Sequence, residues 1–418
     1  MDFHRPVAST TPASNVNRRR FLQYTAASVA ALSASPLAAG AALNANERIS
    51  IGCIGVGGRG SALMGEILAL AKQHNVQITA VCDVWRKGLS AAAARVKQRL
   101  GTEPRQFTRF EELLALKDVE AVVIATPDFS HGPILTAALK AEKDVYIEKP
   151  MTIDLASANQ ALDLAREKGR VVQAGTQRRS EGRFIGASKL VATGALGQIS
   201  RVSAAMYFHE PRWARGVTDC QEADVDWEAF LLRLPKRPFD ARLLRCWQLY
   251  RATSNGLPGL WMTHYADAVH MITGAKYPAS AVAHGGIYVW KDGREHTDTF
   301  HALLDYPEGF LFDWGMGLGN SSGVHFSIHG TQGTIDLEKW TVSPEGGRNS
   351  SLQAGLIASE PNQSHMGNWL GCLRSRQQPN ANIQLGHQHA VATIMAAQAL
   401  ETGRRQKYDP VTRTITAG

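Results

Sequence analysis

Cysteine is scarce in this 418-residue chain, which has five, at Cys53, Cys82, Cys220, Cys246 and Cys372, and no CxxC pair. That spacing, with no histidine cluster at zinc-ligand spacing, excludes a thiolate metal site, and no metal is expected. A disulfide framework is excluded with it, although Cys220 with Cys246 stays open as one bridge in an oxidising compartment. Beyond the first 45 residues no apolar run approaches the ~20 residues that cross a bilayer. A strong charge of one sign is also missing. The formal charge is +8, but the leading segment holds Arg5, Arg18, Arg19 and Arg20 against Asp2. The remainder, with acids and bases interspersed, reads as a solvated surface and not as a nucleic-acid stripe.

What is present begins with "NRRRFLQYTAASVAALSASPLAAGA", residues 17–41. Arg18 and Arg19 ahead of Arg20-Phe21-Leu22 resemble the twin-arginine export signal, Thr25 to Leu43 would be its apolar region, and Ala39-Gly40-Ala41 is a candidate cleavage site. Residues 1–45 are therefore set aside as a leader. The expected address is the periplasm or another exported location, reached through the twin-arginine machinery, with no stable membrane insertion after cleavage. That route moves folded proteins, so it directs attention to a cofactor acquired before export. The rest of the chain is long enough for two domains and a sizeable core.

From Arg48 the chain reads as an apolar strand, Ile49 to Ile54, a glycine cluster, and then Leu63, Met64, Ile67, Leu68 and Leu70 at helical spacing. Gly55, Gly57 and Gly60 fall at G-x-G-x-x-G spacing, with Gly58 and Arg59 inside the loop. The first glycine permits the turn, the second lets backbone approach a pyrophosphate, and the third lets helix pack on strand. A second apolar strand, "VQITAVC", ends at Asp83, where a carboxylate can accept hydrogen bonds from the adenosine ribose. NAD is the expected cofactor, and Arg86 close by keeps NADP as the alternative. Asp83 also has the position of a helix N-cap. Strands at "VEAVVIATPDFSH", "DVYIEKP" and "RVVQAG" alternate with helices, which predicts a doubly wound parallel sheet with its crevice beyond the strand C-termini. Thr126-Pro127, Glu148-Lys149-Pro150 and Gly175-Thr176-Gln177 all fall at such ends.

With the glycine loop, "TPDFSH", "EKPM" and "GTQRR" in this order, the chain resembles the Gfo/Idh/MocA oxidoreductases from about residue 48 onward. The resemblance implies a Rossmann domain, placed at 46–178, and a second α+β domain with a large, mostly antiparallel open sheet, placed at 179–418. It adds His131, Glu148 and Gln177 to the cofactor-binding set. It also implies that Lys149 hydrogen-bonds the substrate hydroxyl and that the bond to Pro150 is often cis. The family's second domain lines the substrate site and often mediates oligomers, so a homo-oligomer through that sheet is expected.

After Arg179 the pattern turns to alternating strands: "GQISRVSAAMYFHEPRW", "ASAVAHGGIYVWKDG", "HTDTFHALLDYP", "GFLFDWGMGL", "GVHFSIHG" and "GTIDLEK". One face of the resulting sheet is expected to cover the crevice. Between the first of these and the rest, a helix carries His264 and Asp267 one turn apart on one face. His264 matches the family histidine that takes the hydroxyl proton as hydride leaves. Many dehydrogenases of the family carry an aspartate four residues earlier, where this chain has Leu260. His264 should then be a weaker base unless Asp267 substitutes. Tyr207, Trp213, Trp247, Tyr250, Trp261 and Tyr265 offer flat rings to a sugar, and Arg212, Arg245 and His209 offer polar contacts. The expected substrate-binding set is Lys149, Tyr207, His209, Trp213, His264 and Tyr265. About half of the aromatics should instead be core.

Export without a soluble nicotinamide pool makes sense if the nucleotide never leaves. The expected function is an oxidoreductase moving hydride between a tightly held nicotinamide and a sugar hydroxyl. One alternative is a glycosidase or lyase that works by transient oxidation. Their Tyr-Pro-Thr-His motif is matched here only by Thr263-His264. The other alternative is a non-catalytic sugar or nucleotide binder.

Overall fold

Strands buried on both faces demand continuous apolar sequence, and the first half of the chain supplies it. In the computed structural model, which describes residues 47–345 and 352–418, β1 (Ile49–Ile54) and β4 (Ala121–Ile124) are buried along their whole length. The Arg18-Arg19 leader lies outside the described residues. β2 (Val76–Cys82), β3 (Arg105–Phe107), β5 (Asp144–Ile147) and β6 (Val172–Ala174) complete a six-stranded parallel sheet of order β3-β2-β1-β4-β5-β6. The chain reverses direction across the sheet between β1 and β4, and a crevice opens there at the strand C-termini.

The helices follow from period and caps. α1 (Gly58–His74) buries Leu63, Met64 and Ile67, and stops where Asn75 takes the left-handed conformation. α2 (Arg86–Leu100) ends the same way at Gly101. After the short α3 (Phe110–Leu114), α4 (Asp128–Lys140) starts two residues earlier than the apolar pattern predicts, with Pro127 as its N-cap. α5 (Leu155–Glu167) is capped by Asp154, which accepts from Ser157 N–H at 2.7 Å.

The second sheet has ten strands. β7 (Ile199–His209) lies at its centre between β10 (Phe310–Gly317) and β11 (Gly319–Gly330). The flanks are β9 (Thr299–Tyr306) and β8 (Ser280–Gly286) on one side and β12 (Gly333–Asp336), β13 (Thr341–Pro344) and β14 (Gly355–Leu356) on the other, with β15 (Gln406–Asp409) and β16 (Thr414–Ala417) beyond β8. β10 runs parallel to β7, and the other pairs are antiparallel. β8 ends at Gly286, short of the predicted run to Gly293. There the Asp298 carboxylate takes the N–H groups of Tyr288, Val289 and Trp290, turning the backbone out of the ladder.

Strand alternation puts Val202, Ala204 and Met206 on the inner face of β7. α6 (Gly182–Ala192), α9 (Thr263–Thr273) and α11 (Ile383–Thr402) contribute to the same core. That face is therefore filled, and the wall over the crevice comes from elsewhere: the insert between β7 and α9, with its short helices α7 (Trp227–Leu231) and α8 (Ala241–Arg245). The insert has a small core of its own, in which Cys220, Val225, Phe230, Leu231 and Leu243 meet Phe129 of the first sheet's α4. Late in the chain, α10 (His365–Ser375) returns to the first sheet, where Met366, Trp369 and Leu370 join Ile51 and Ile67. The five cysteines are free buried thiols, so Cys220 and Cys246 are unbridged. Among the described residues no helix is long and apolar enough to cross a membrane.

Candidate active site

The crevice is a cleft of about 890 Å³, within the ~300–1,000 Å³ of ordinary ligand pockets. Its floor at one end is the glycine loop. Gly55 has φ +79°, and a Cβ on Gly60 would lie 1.9 Å from the Gly55 carbonyl oxygen, so both positions exclude a side chain. A Cβ on Gly57 or Gly58 would meet nothing within 4 Å. The space beside these two residues opens at the N-terminus of α1, which has no side-chain cap and no acid in its first turn. Such a terminus presents N–H groups and positive potential to an anion. The cradle fits a pyrophosphate.

Asp83 lines the cleft one strand over. Its carboxylate accepts from Val56 N–H at 2.9 Å and Trp85 N–H at 3.0 Å. Burial raises its pKa, and those backbone donors pull it back in part. The N-cap of α2 is Trp85, not Asp83. Glu148, at the end of β5, is buried and takes the Arg59 guanidinium at 2.7 Å and the Gln177 amide at 3.4 Å. These three predicted residues thus tie the glycine loop to the ends of β5 and β6. Thr126 accepts from Ser130 Oγ at 2.7 Å. His131 is buried, with Nδ1 2.7 Å from the Pro150 carbonyl and Nε2 2.8 Å from the Thr126 carbonyl. It braces the two loops that carry Thr126, Pro127 and Lys149, and the Lys149-Pro150 bond is cis.

Lys149 reaches the cleft from the end of β5 and His264 from α9. Lys149 Nζ donates to the Leu260 carbonyl at 2.8 Å, in the π-turn Pro258–Met262 that leads into α9. The His264 imidazole makes no hydrogen bond among the described residues and is available to a ligand. Burial, then the positive charges of Lys149 and Arg178, hold its pKa well below the usual histidine value. Asp267 opposes this only weakly. It is fully buried, and although burial pushes its pKa up, the Arg179 guanidinium at 2.9 Å and His389 at 3.5 Å outweigh that and keep it low. Asp267 is thus committed to Arg179, and His264 is a neutral imidazole at pH 7.

Not every cleft residue was in the sequence reading. Asp128, at the start of α4, is buried beside Lys149 and accepts from Ser254 Oγ at 2.9 Å. Burial raises its pKa to about 7, against the opposing pull of Lys149 and Ser254. "TPD" at a strand end was visible in the sequence, but the distant Ser254 and the depth of the site were not.

The substrate-binding set divides. Trp213 lines the cleft together with Trp247, Trp261 and Arg245. Tyr207 and His209 do not: on β7 they alternate onto the outer face, where the Tyr207 hydroxyl lies 3.4 Å from His301 Nε2 and His209 Nδ1 2.9 Å from the Gly319 carbonyl. Tyr265 is core, packed against Trp314 and Phe326 with the Arg178 guanidinium 4.3 Å from its ring centre. Its place on α9, one residue past His264, turns it to the sheet side. Arg212 stacks over Phe208 and Trp261. Among the described residues no cluster of histidine, cysteine and carboxylate side chains could hold a metal ion.

In comparison with known proteins, residues 49–176 match the Gfo/Idh/MocA description "Oxidoreductase family, NAD-binding Rossmann fold", and residues 231–405 match its C-terminal alpha/beta domain. An inositol 2-dehydrogenase of Rubrobacter xylanophilus is 35% identical over 153 residues, 36% of this chain and 42% of that protein. A glycosyl hydrolase family 109 protein of Shewanella amazonensis is 30% identical over 223 residues, 48% of each chain. The chain thus spans about half the length, or less, of these two curated relatives. Among solved structures, an aldose-aldose oxidoreductase of Caulobacter crescentus complexed with glycerol aligns over 86% of this chain and 99% of its own, with a TM-score of 0.65 at 17% identity. That is a likeness of fold.

Proposed function

The chain belongs to the Gfo/Idh/MocA oxidoreductase family, with an NAD-binding Rossmann domain, and from that premise we propose that it is an exported enzyme. In this reading it moves hydride between a tightly held nicotinamide and a hydroxyl of a sugar or sugar derivative. The observation that carries the reading is the convergence of Lys149 and His264 on a cleft whose other end is the glycine loop and Asp83. The nicotinamide, when bound, supplies the hydride acceptor. Asp83 holds the adenosine ribose, and the N-terminus of α1 holds the pyrophosphate. Lys149 leaves the Leu260 carbonyl to donate to the substrate hydroxyl, which favours the developing alkoxide. His264, neutral because burial and two nearby cations disfavour its charge, accepts the hydroxyl proton. Trp213, Trp247 and Trp261 offer faces to a sugar ring, as carbohydrate-directed names among its relatives lead one to expect. Export rests on Arg18 and Arg19 in the sequence, and it favours a nucleotide that stays bound through the cycle.

A second reading has one observation in its favour. The resemblance to a glycosyl hydrolase family 109 protein extends over 223 residues, which supports cleavage of a glycoside with the cofactor oxidised and re-reduced in one turnover. The test of the shared chemistry is Lys149→Ala. The variant should fold and keep its nucleotide while losing about 100-fold or more in turnover with any responsive sugar. Unchanged turnover would remove Lys149 from the chemistry.

A further inference from the structure

Three cations stand at the ends of β2 and β3, where a phosphate on the adenosine ribose would lie: Arg86, Lys87 and Arg109. In sequence, Arg86 alone keeps NADP as the alternative. In the structure all three are taken by one segment, residues 219–228 of the insert, which crosses the first sheet at this point. Val225 forms an antiparallel bridge with Trp85, and Asp226 N–H donates to the Val84 carbonyl at 2.8 Å. Arg86 Nη1 donates to the Ala223 carbonyl at 3.0 Å. Lys87 pairs with Asp224 at 2.8 Å. Arg109, which lines the cleft, pairs with Glu228 at 3.1 Å and Asp226 at 3.4 Å.

We propose that this strap is the specificity determinant of the cofactor site, selecting a dinucleotide with an unphosphorylated adenosine ribose and rejecting its 2′-phosphorylated form. The inference rests on the dinucleotide reading of the cleft. With the strap in place, a 2′-phosphate would face Asp83, Glu111 and Glu228 of the cleft wall. Of the cleft-lining guanidinium groups beside it, that of Arg109 is already paired with Asp226 and Glu228, and that of Arg245 with Asp219. Like charges repel, and a phosphate could recover Arg109 only in competition with the Asp226 and Glu228 carboxylates that already hold it. A ribose diol, by contrast, needs only the Asp83 acceptor. Cofactor choice is thus set by a segment about 140 residues downstream of Asp83, contributed by the insert and not by the Rossmann sheet.

The test is nucleotide capture during folding. Each protein is folded in the cytoplasm, purified away from free nucleotide and denatured, and the NAD(H) and NADP(H) released are counted. The wild type should retain NAD over NADP by 100-fold or more. In Asp226→Asn/Glu228→Gln, Arg109 is released while Asn keeps the N-cap of α7. The ratio should narrow by at least tenfold, through a gain of NADP. Glu228→Gln alone alters a largely exposed side chain that caps nothing, and it should shift the ratio the same way to a smaller degree. Equal retention of the two nucleotides by the wild type, or a ratio that neither variant moves, overturns the proposal. A wild type that releases neither nucleotide on denaturation overturns the dinucleotide reading itself.

Discussion

Leu260 stands where a carboxylate would hold a proton on His264, and its effect is readable in the side chains around the imidazole. Burial and the cations Lys149 and Arg178 push the His264 pKa down, and Asp267 is held by Arg179. The imidazole is therefore an acceptor at neutral pH without any preceding deprotonation. His264→Ala should abolish turnover. Leu260→Asp should raise the His264 pKa and move the pH at which the rate climbs to a higher value, with the folded protein otherwise intact. Rate against pH for wild type and both variants with one substrate checks this, and a His264→Ala enzyme of normal rate would hand the proton to another group. Asp128 behaves in the opposite sense. Its folded pKa of about 7 lies above the ordinary 3.8. The unfolded chain therefore releases this proton first, and the stability tied to the neutral carboxyl is full below pH 3.8 and lost as pH rises through 7. Asp128→Asn, which keeps an acceptor for Ser254, should raise stability at pH 8 by ~1 kcal/mol or more and have little effect near pH 4. Equal thermal shifts at both values would contradict the buried-carboxyl account.

At the scale of elements, the glycine loop and α1 act as one unit, because Gly60 packs on the Gly55 carbonyl. Gly60→Ala forces a methyl into that contact, so it should displace the helix start, cost about 1 to 3 kcal/mol and lose the nucleotide. Thermal melting with a count of retained nucleotide is the check. This unit was legible in the sequence because strand, turn and helix are consecutive and their chemistry is local. So was the order of the remaining strands and helices through β6, where each apolar run is bounded by a turn; only the largely exposed β3 and the short α3, which carry no such run, went unread. The inward set on β7 was not. Period 2 says that Tyr207 and His209 share a face, but it does not say which face, and α9 and α11, whose packing decides it, lie far along the chain. The strap was hidden for the same reason. "TDCQEADVD" looks like an acidic loop until Val225 pairs with Trp85.

At the scale of the molecule, the cleft is assembled from three sources: the parallel sheet supplies the glycine loop, Asp83 and Lys149, α9 supplies His264, and the insert closes the wall with Trp213, Trp247 and Arg245. Covering of this kind suits a nucleotide that is loaded once and kept, which is what passage through a folded-protein export route would require. Asp83→Ala should then weaken retention by the worth of one or two charge-assisted hydrogen bonds, ~1.5 to 3 kcal/mol each, without altering the fold. The most direct measurement takes protein folded in the cytoplasm and quantifies the nucleotide released on denaturation. A second sample is then titrated with a panel of sugars while the absorbance of bound reduced nicotinamide is followed. The account predicts near-stoichiometric NAD(H) whose redox state changes with at least one sugar while the nucleotide stays bound. An empty protein that takes up NAD only at millimolar concentration, or a bound nucleotide that no sugar oxidises or reduces, would contradict it.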